Sequence, residues 1–176
     1  MFINPMKKAC PLHILNFLMI VVMNIPKGVQ AQEFTLEQKS DSLSYLVLRT
    51  DISCQRWAIK FPVYQFCTGD VDGDGSVDAL VGVVKTTRFD PQMARRLFIF
   101  KNYHGRIRAM WMGSRLGGIL EDFRFAKGKV YTLQTTTDGK YVVLSHQWRK
   151  FGLGADEFLV KGVSRQEALH VFDKLE

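Results

Sequence analysis

Four carboxylates fall within nine residues at Asp70-Val71-Asp72-Gly73-Asp74-Gly75-Ser76-Val77-Asp78, and the apolar run Ala79-Leu80-Val81-Gly82-Val83-Val84 follows without a break. Like charges held so close repel one another unless a cation lies among them. The segment fits D-x-D-x-D-G-x-x-D at every position. Calcium takes six to eight oxygens at about 2.3–2.6 Å, which carboxylates on alternate residues of a tightly curling loop supply. Asp70, Asp72, Asp74 and Asp78 are therefore the expected side-chain ligands of a calcium ion. The backbone carbonyl of Ser76 is an expected fifth, with water completing the shell, and Gly75 permits the sharp turn. The competing reading is an ordinary polar hairpin rich in Asp and Gly.

The residues after the loop separate it from the helical calcium motifs. An EF-hand supplies a bidentate Glu at its twelfth position, which counted from Asp70 is Val81. A buried strand, not an exiting helix, is expected there. Dockerin-type loops fail on the same count, since they also want an acid at that point and a second copy.

From Trp57 onward the pattern has a period of two. Val63 to Thr68, Asp78 to Thr86, Arg96 to Tyr103 and Arg106 to Met112 carry β-branched or aromatic residues between turn formers, and read as strands. Ile119 to Ala126, Lys129 to Thr135, Lys140 to Trp148 and Asp156 to Val160 continue the series, with Lys127-Gly128 and Asp138-Gly139 as tight turns. Trp57, Trp111 and Trp148, each followed by a Phe-bearing strand at Phe66, Phe123 and Phe158, hint at a weak repeat; plain core aromatics would look the same. Thr35-Leu36-Glu37-Gln38 has the form of a capping box, which predicts a short N-terminal helix within residues 32–56. Ser164-Arg165-Gln166-Glu167 is a second such box, opening a C-terminal helix over 164–176 with Ala168, Leu169, Phe172 and Leu175 on its apolar side. The expected fold is mainly β: antiparallel, blade-like hairpins in one compact domain, as a sandwich or partial propeller, with a helix at each end.

A Phe-bearing strand at Phe66, the Asp loop from Gly69 to Asp78 and the apolar strand Ala79 to Val84 together resemble a blade of the FG-GAP family, the calcium-binding repeat of integrin-type β-propellers. The resemblance implies that the loop joins two strands of one blade and that the ion ties their ends together, in a structural role. On that reading residues 57–112 form the calcium-loop blade. Residues 113–163 form a second, metal-free blade, because no Asp cluster recurs around Leu120 to Val143. A full propeller needs at least four blades, so the bare sheet edges must be covered by the helices, paired in a homo-oligomer or folded into a closed form. More loosely, the chain resembles short exported bacterial proteins labelled nuclear receptor-binding factor, a label that an exported protein gives no reason to adopt.

Export is expected from the first residues. Lys7 and Lys8 precede an apolar core from Leu12 to Met23, and Val29-Gln30-Ala31 is a small-residue cleavage site, so residues 1–31 read as a signal peptide. The apolar run is short for a bilayer span, and no membrane span is expected in the mature chain. Met6, directly before the lysines, is an alternative start. Cys10 precedes the apolar core, where a lipid-anchor cysteine would follow it. Cleavage leaves residues 32–176 as one domain and lowers the formal charge from +7 to +4 by removing Lys7, Lys8 and Lys27. The remaining basic residues are scattered, with Arg95-Arg96 read as solvated strand edge, and nucleic acid is not an expected partner. Cys54 and Cys67, the two cysteines left, are expected to form a disulfide in an oxidising compartment, two buried free thiols being the alternative.

No catalytic constellation stands out. Gly113-Ser114-Arg115-Leu116-Gly117 lacks the spacing of a nucleophile elbow, and the Gly117-Gly118 and Gly152-Leu153-Gly154 clusters lack a phosphate-loop lysine. Glu121 and Asp122 are adjacent on a strand and point to opposite faces. The expected function is a structural or binding role in the cell envelope or outside the cell, with a protein or glycan partner. The alternative is a small extracytoplasmic hydrolase or inhibitor using a pocket near His104, His146 or Trp148.

Overall fold

Alternation of apolar and polar residues begins at Phe34. In the computed structural model, which describes residues 33–88, 90–150 and 152–175, it becomes a series of antiparallel strands. The first three are β1 (Glu33–Ser40), β2 (Leu43–Arg49) and β3 (Cys54–Ile59), which form a sheet of their own. The larger sheet holds β4 (Val63–Gly69), β5 (Asp78–Thr87), β6 (Asp90–Tyr103), β7 (Arg106–Met112), β8 (Ile119–Ala126), β9 (Lys129–Thr135), β10 (Tyr141–Arg149) and β11 (Gly152–Val163). A helix, α1 (Arg165–Phe172), follows. The expected signal peptide lies outside the described residues. Among those residues, no helix is long and apolar enough to cross a membrane.

The expected N-terminal helix is replaced by the β1–β2 hairpin. Pairing sets Phe34 opposite Leu48 and Leu36 opposite Leu46, so the apolar side chains fall on one face with period two. Asp41 and Ser42 make the turn between them. The capping-box form at Thr35 is overridden because a strand here buries Phe34, Leu46 and Leu48 together. Each such side chain contributes roughly 1.5–3 kcal/mol when fully buried.

The large sheet is two four-stranded meanders, β4 to β7 and β8 to β11, sharing the long strand β6. The C-terminal half of β6 pairs with β7, and nearer its start Arg95 pairs with Leu120 of β8. The chain thus returns to the same edge of β6 after the 113–118 crossover. The sheet curls without closing into a barrel. Tyr64 of β4 meets Phe123 of β8 edge to face with ring centroids 6.2 Å apart, while the backbone of Gly152 on β11 lies against the ring of Trp111 on β7.

Three apolar clusters result. Phe34, Leu46, Leu48 and Ile59 of the small sheet pack on Val81, Val83, Phe98 and Phe100 of β5 and β6, as two layers. The opposite face of β5 and β6 presents Leu80, Leu97 and Ile99 to Leu120, Phe123 and Val130, inside the curl. Helix α1 seats Ala168 and Phe172 on Tyr131, Leu133 and Val143, covering the outer face of the second meander. Its start is the expected capping box: the Ser164 hydroxyl accepts from the Glu167 N–H, and the Glu167 carboxylate accepts from the Ser164 N–H.

Two further expectations are corrected. Among the described residues Cys54 and Cys67 are free thiols, the first exposed on β3 of the small sheet and the second half-buried on β4 of the large one. Cys54 opens β3 and Cys67 stands near the end of β4, and the two do not come within bridging distance. Arg96, read as solvated, is only 5% exposed. It lies 2.7 Å from the Asp90 carboxylate, which explains how its charge is tolerated there.

Candidate metal centre

The Asp loop joins β4 to β5. Antiparallel pairing places Gly69 opposite Asp78, so the two ends of the loop start from adjacent strand positions. Gly73 and Gly75 have φ of +74° and +84°, the left-handed region that lets residues 70–77 curl back on themselves. Asp70 organises the curl. Its Oδ1 accepts from the N–H groups of Gly73 at 2.8 Å and Asp74 at 3.1 Å, and its Oδ2 accepts from Gly75 at 2.9 Å.

Asp70, Asp72 and Asp78 each offer a carboxylate oxygen, and these oxygens lie within 4.8 Å of one another. Two ligands on opposite sides of one calcium ion stand about 4.6–5.2 Å apart, so the triad can share an ion. Asp78 is fully buried; its Oδ2 accepts from the Val71 N–H at 2.9 Å, and among the described residues its Oδ1 has no hydrogen-bond partner. Burial first, then the neighbouring Asp72 and Asp74, push its pKa up to about 7, the Val71 N–H opposing them. A buried carboxylate oxygen with nothing to bind is the feature a cation would satisfy.

Asp74 is arranged differently. Its Oδ1 accepts from the Ser76 N–H at 2.8 Å, and its Oδ2 lies 2.7 Å from the Lys101 ammonium. Lys101 also reaches Asp72 Oδ2 at 2.6 Å. The hydrogen bond from Lys101 holds the Asp74 carboxyl below its usual range. Burial works to lower the Lys101 pKa, and the two carboxylates outweigh it and raise it. Of the five expected ligand residues, the structure groups Asp70, Asp72 and Asp78, turns Asp74 toward a lysine, and brings in Ser76 through its N–H.

Lys101 is absent from the sequence expectation. Its signal is faint but real: it ends the apolar run Leu97-Phe98-Ile99-Phe100. Once β5 pairs with β6, the Ala79–Phe100 register sets Lys101 beside Asp78 at the mouth of the loop.

A cleft of about 590 Å³ adjoins the loop, lined by Asp51 of the β2–β3 turn, Asp74, Ser76, Lys101, Asn102 and His104. His104 is in the β6–β7 turn at φ +52°, its ring 4.5 Å from that of Tyr103. His146 is elsewhere, on β10 inside the curl, and 2% exposed. Trp148 packs against that same inner cluster. The three residues of the alternative reading do not share one pocket. Glu121 accepts the Thr135 hydroxyl at 2.8 Å, and Asp122 accepts the N–H of Phe123.

No protein-family model, curated protein or solved structure matches this chain.

Proposed function

We propose that this chain is an exported, calcium-stabilised β module with a structural or binding role in the cell envelope or outside the cell, toward a protein or glycan. The observation carrying this reading is the buried, unpartnered Oδ1 of Asp78 in a three-carboxylate cluster. Asp70, Asp72 and Asp78 would hold the ion. Asp78 begins β5 and Asp70 directly follows β4, so a shared ion would pin the two strand ends. Calcium would supply the positive charge that offsets the clustered acids; the chain's own residues hold the loop in its curl and shield Asp78 from water. The cleft beside Asp74 is a suitable place for a partner to reach the loop. The scattered basic residues, and histidines that stand apart from one another, lend no support to a nucleic-acid or hydrolase role.

The test is thermal melting of the mature chain, residues 32–176, in chelator and in rising calcium. A ligand that binds only the folded state stabilises it by about 2.7 kcal/mol at a concentration 100 times its Kd. The melting temperature should rise with calcium, and Asp72→Ala should abolish the rise. A chain indifferent to calcium overturns the reading.

A further inference from the structure

Asp72 belongs to two groups at once. It is one of the three carboxylates able to share an ion, and its Oδ2 is only 2.6 Å from the Lys101 ammonium. A divalent cation and an ammonium are attracted to the same oxygens and repel each other across so short a gap. We infer that Lys101 is a built-in counter-ion of the loop, and that calcium enters by exchange, displacing the Lys101 ammonium from Asp72 and Asp74. This inference rests on the calcium reading above.

The ammonium is an incomplete substitute for a metal. It bonds Asp72 and Asp74, whereas Asp78, a member of the same cluster, keeps its Oδ1 without a hydrogen-bond partner among the described residues. Three donors on a long flexible stem cannot reproduce the coordination of a hard cation by converging oxygens. The lysine therefore keeps the loop folded and partly neutralised without metal, at the cost of weaker calcium binding. Displacement has somewhere to lead. Lys101 and Asp51 line the same cleft, so the freed ammonium has another carboxylate within that space. Calcium binding thereby changes the charge presented in the cleft where a partner would dock.

Two measurements on the mature chain test the exchange. The first is calorimetric titration of the chelator-stripped protein with calcium chloride, comparing wild type with Lys101→Met and with the charge-retaining Lys101→Arg. Lys101→Met should bind at least about tenfold more tightly, and Lys101→Arg should stay near wild type. The second needs no variant: acetic anhydride labelling of wild type, read residue by residue by mass spectrometry. Acetylation of Lys101 should be slow in chelator and accelerate about fivefold or more in calcium, with the other lysines unchanged. If calcium binds but Lys101→Met gains no affinity, or Lys101 labelling ignores the metal, the exchange is wrong and the calcium reading stands. If neither wild type nor Lys101→Met binds calcium, both fall. If only Lys101→Met binds, the lysine competes as inferred, and calcium is not the native chain's ligand.

Discussion

The Thr132 hydroxyl lies 2.9 Å from His146 Nε2, inside the curled sheet. Thr132 Oγ1 accepts from Gln134 Nε2 at 2.8 Å, and Gln134 Oε1 in turn accepts from the Gly118 N–H at 2.8 Å. The threonine oxygen has a second lone pair as well as its proton, so it serves Nε2 as donor or acceptor according to the imidazole tautomer. Nδ1 is buried without a partner among the described residues. Nothing there stabilises a second proton.

Burial lowers the His146 pKa from 6.5 to about 4. An unfolded chain takes up that proton near pH 6.5, whereas the folded one resists until about pH 4. The stability contribution of this depressed pKa is thus full above pH 6.5 and lost as pH falls toward 4, by at most about 3 kcal/mol. Urea unfolding across that range should show it, and His146→Gln should flatten the slope. An unchanged slope in the variant would mean that His146 does not titrate as its burial dictates.

Asp78 tilts the calcium-free protein the other way. Its pKa rises from 3.8 to about 7 on folding, so the folded state holds a proton that the unfolded state has released. The contribution is present below pH 3.8 and lost as pH climbs through 7, by about 4 kcal/mol at the upper limit. In chelator, Asp78→Asn should be more stable than wild type at pH 8 and close to it at pH 4. A variant less stable than wild type at both pH values would show that the charge on Asp78 is not what costs stability.

The two thiols should differ sharply in reactivity. Cys54 is exposed, while Cys67 is half-buried among apolar neighbours and burial pushes its pKa up to about 11. In a chain of residues 32–176, Ellman's reagent should modify one thiol of the native protein quickly and the second only after unfolding. Finding no free thiol in the unfolded protein would mean that Cys54 and Cys67 are bridged and that β3 lies against β4.

Gly82 on β5 should not tolerate a side chain. A Cβ there would come within 2.6 Å of Tyr64 Cζ and 2.8 Å of Phe123 Cε1, the ring pair that draws β4 toward β8. Gly82→Val should cost about 1–3 kcal/mol through overpacking, seen as a lower urea midpoint. A midpoint equal to that of wild type would show that the rings shift without penalty.

Most strands of the second half were legible because their ends are marked. Lys127-Gly128 turns with both residues at positive φ, and the strands on either side run Ile119–Ala126 and Lys129–Thr135 as expected. Glu33–Ser40 is a strand and not the expected helix because a capping-box form says only which residues can start a helix. The alternation of Phe34 and Leu36 with polar neighbours was the stronger signal, and the pairing partner that gives it meaning, Leu46 to Leu48, lies beyond a turn. Within the loop, sequence spacing identified the acids but not their grouping. Asp74 and Asp78 have the same chemistry and different partners.

By itself the sequence determined the β alternation, the capped C-terminal helix and a loop with four carboxylates in nine residues. These are local properties, set by side-chain period, backbone permissiveness and charge density along a few residues. Only the tertiary structure decided that the two meanders share β6, that Cys54 and Cys67 stand in separate sheets, and that Lys101 answers Asp72 across 29 residues. Those outcomes depend on which strands meet, and pairing is chosen by the whole set of buried faces at once, which no single segment encodes.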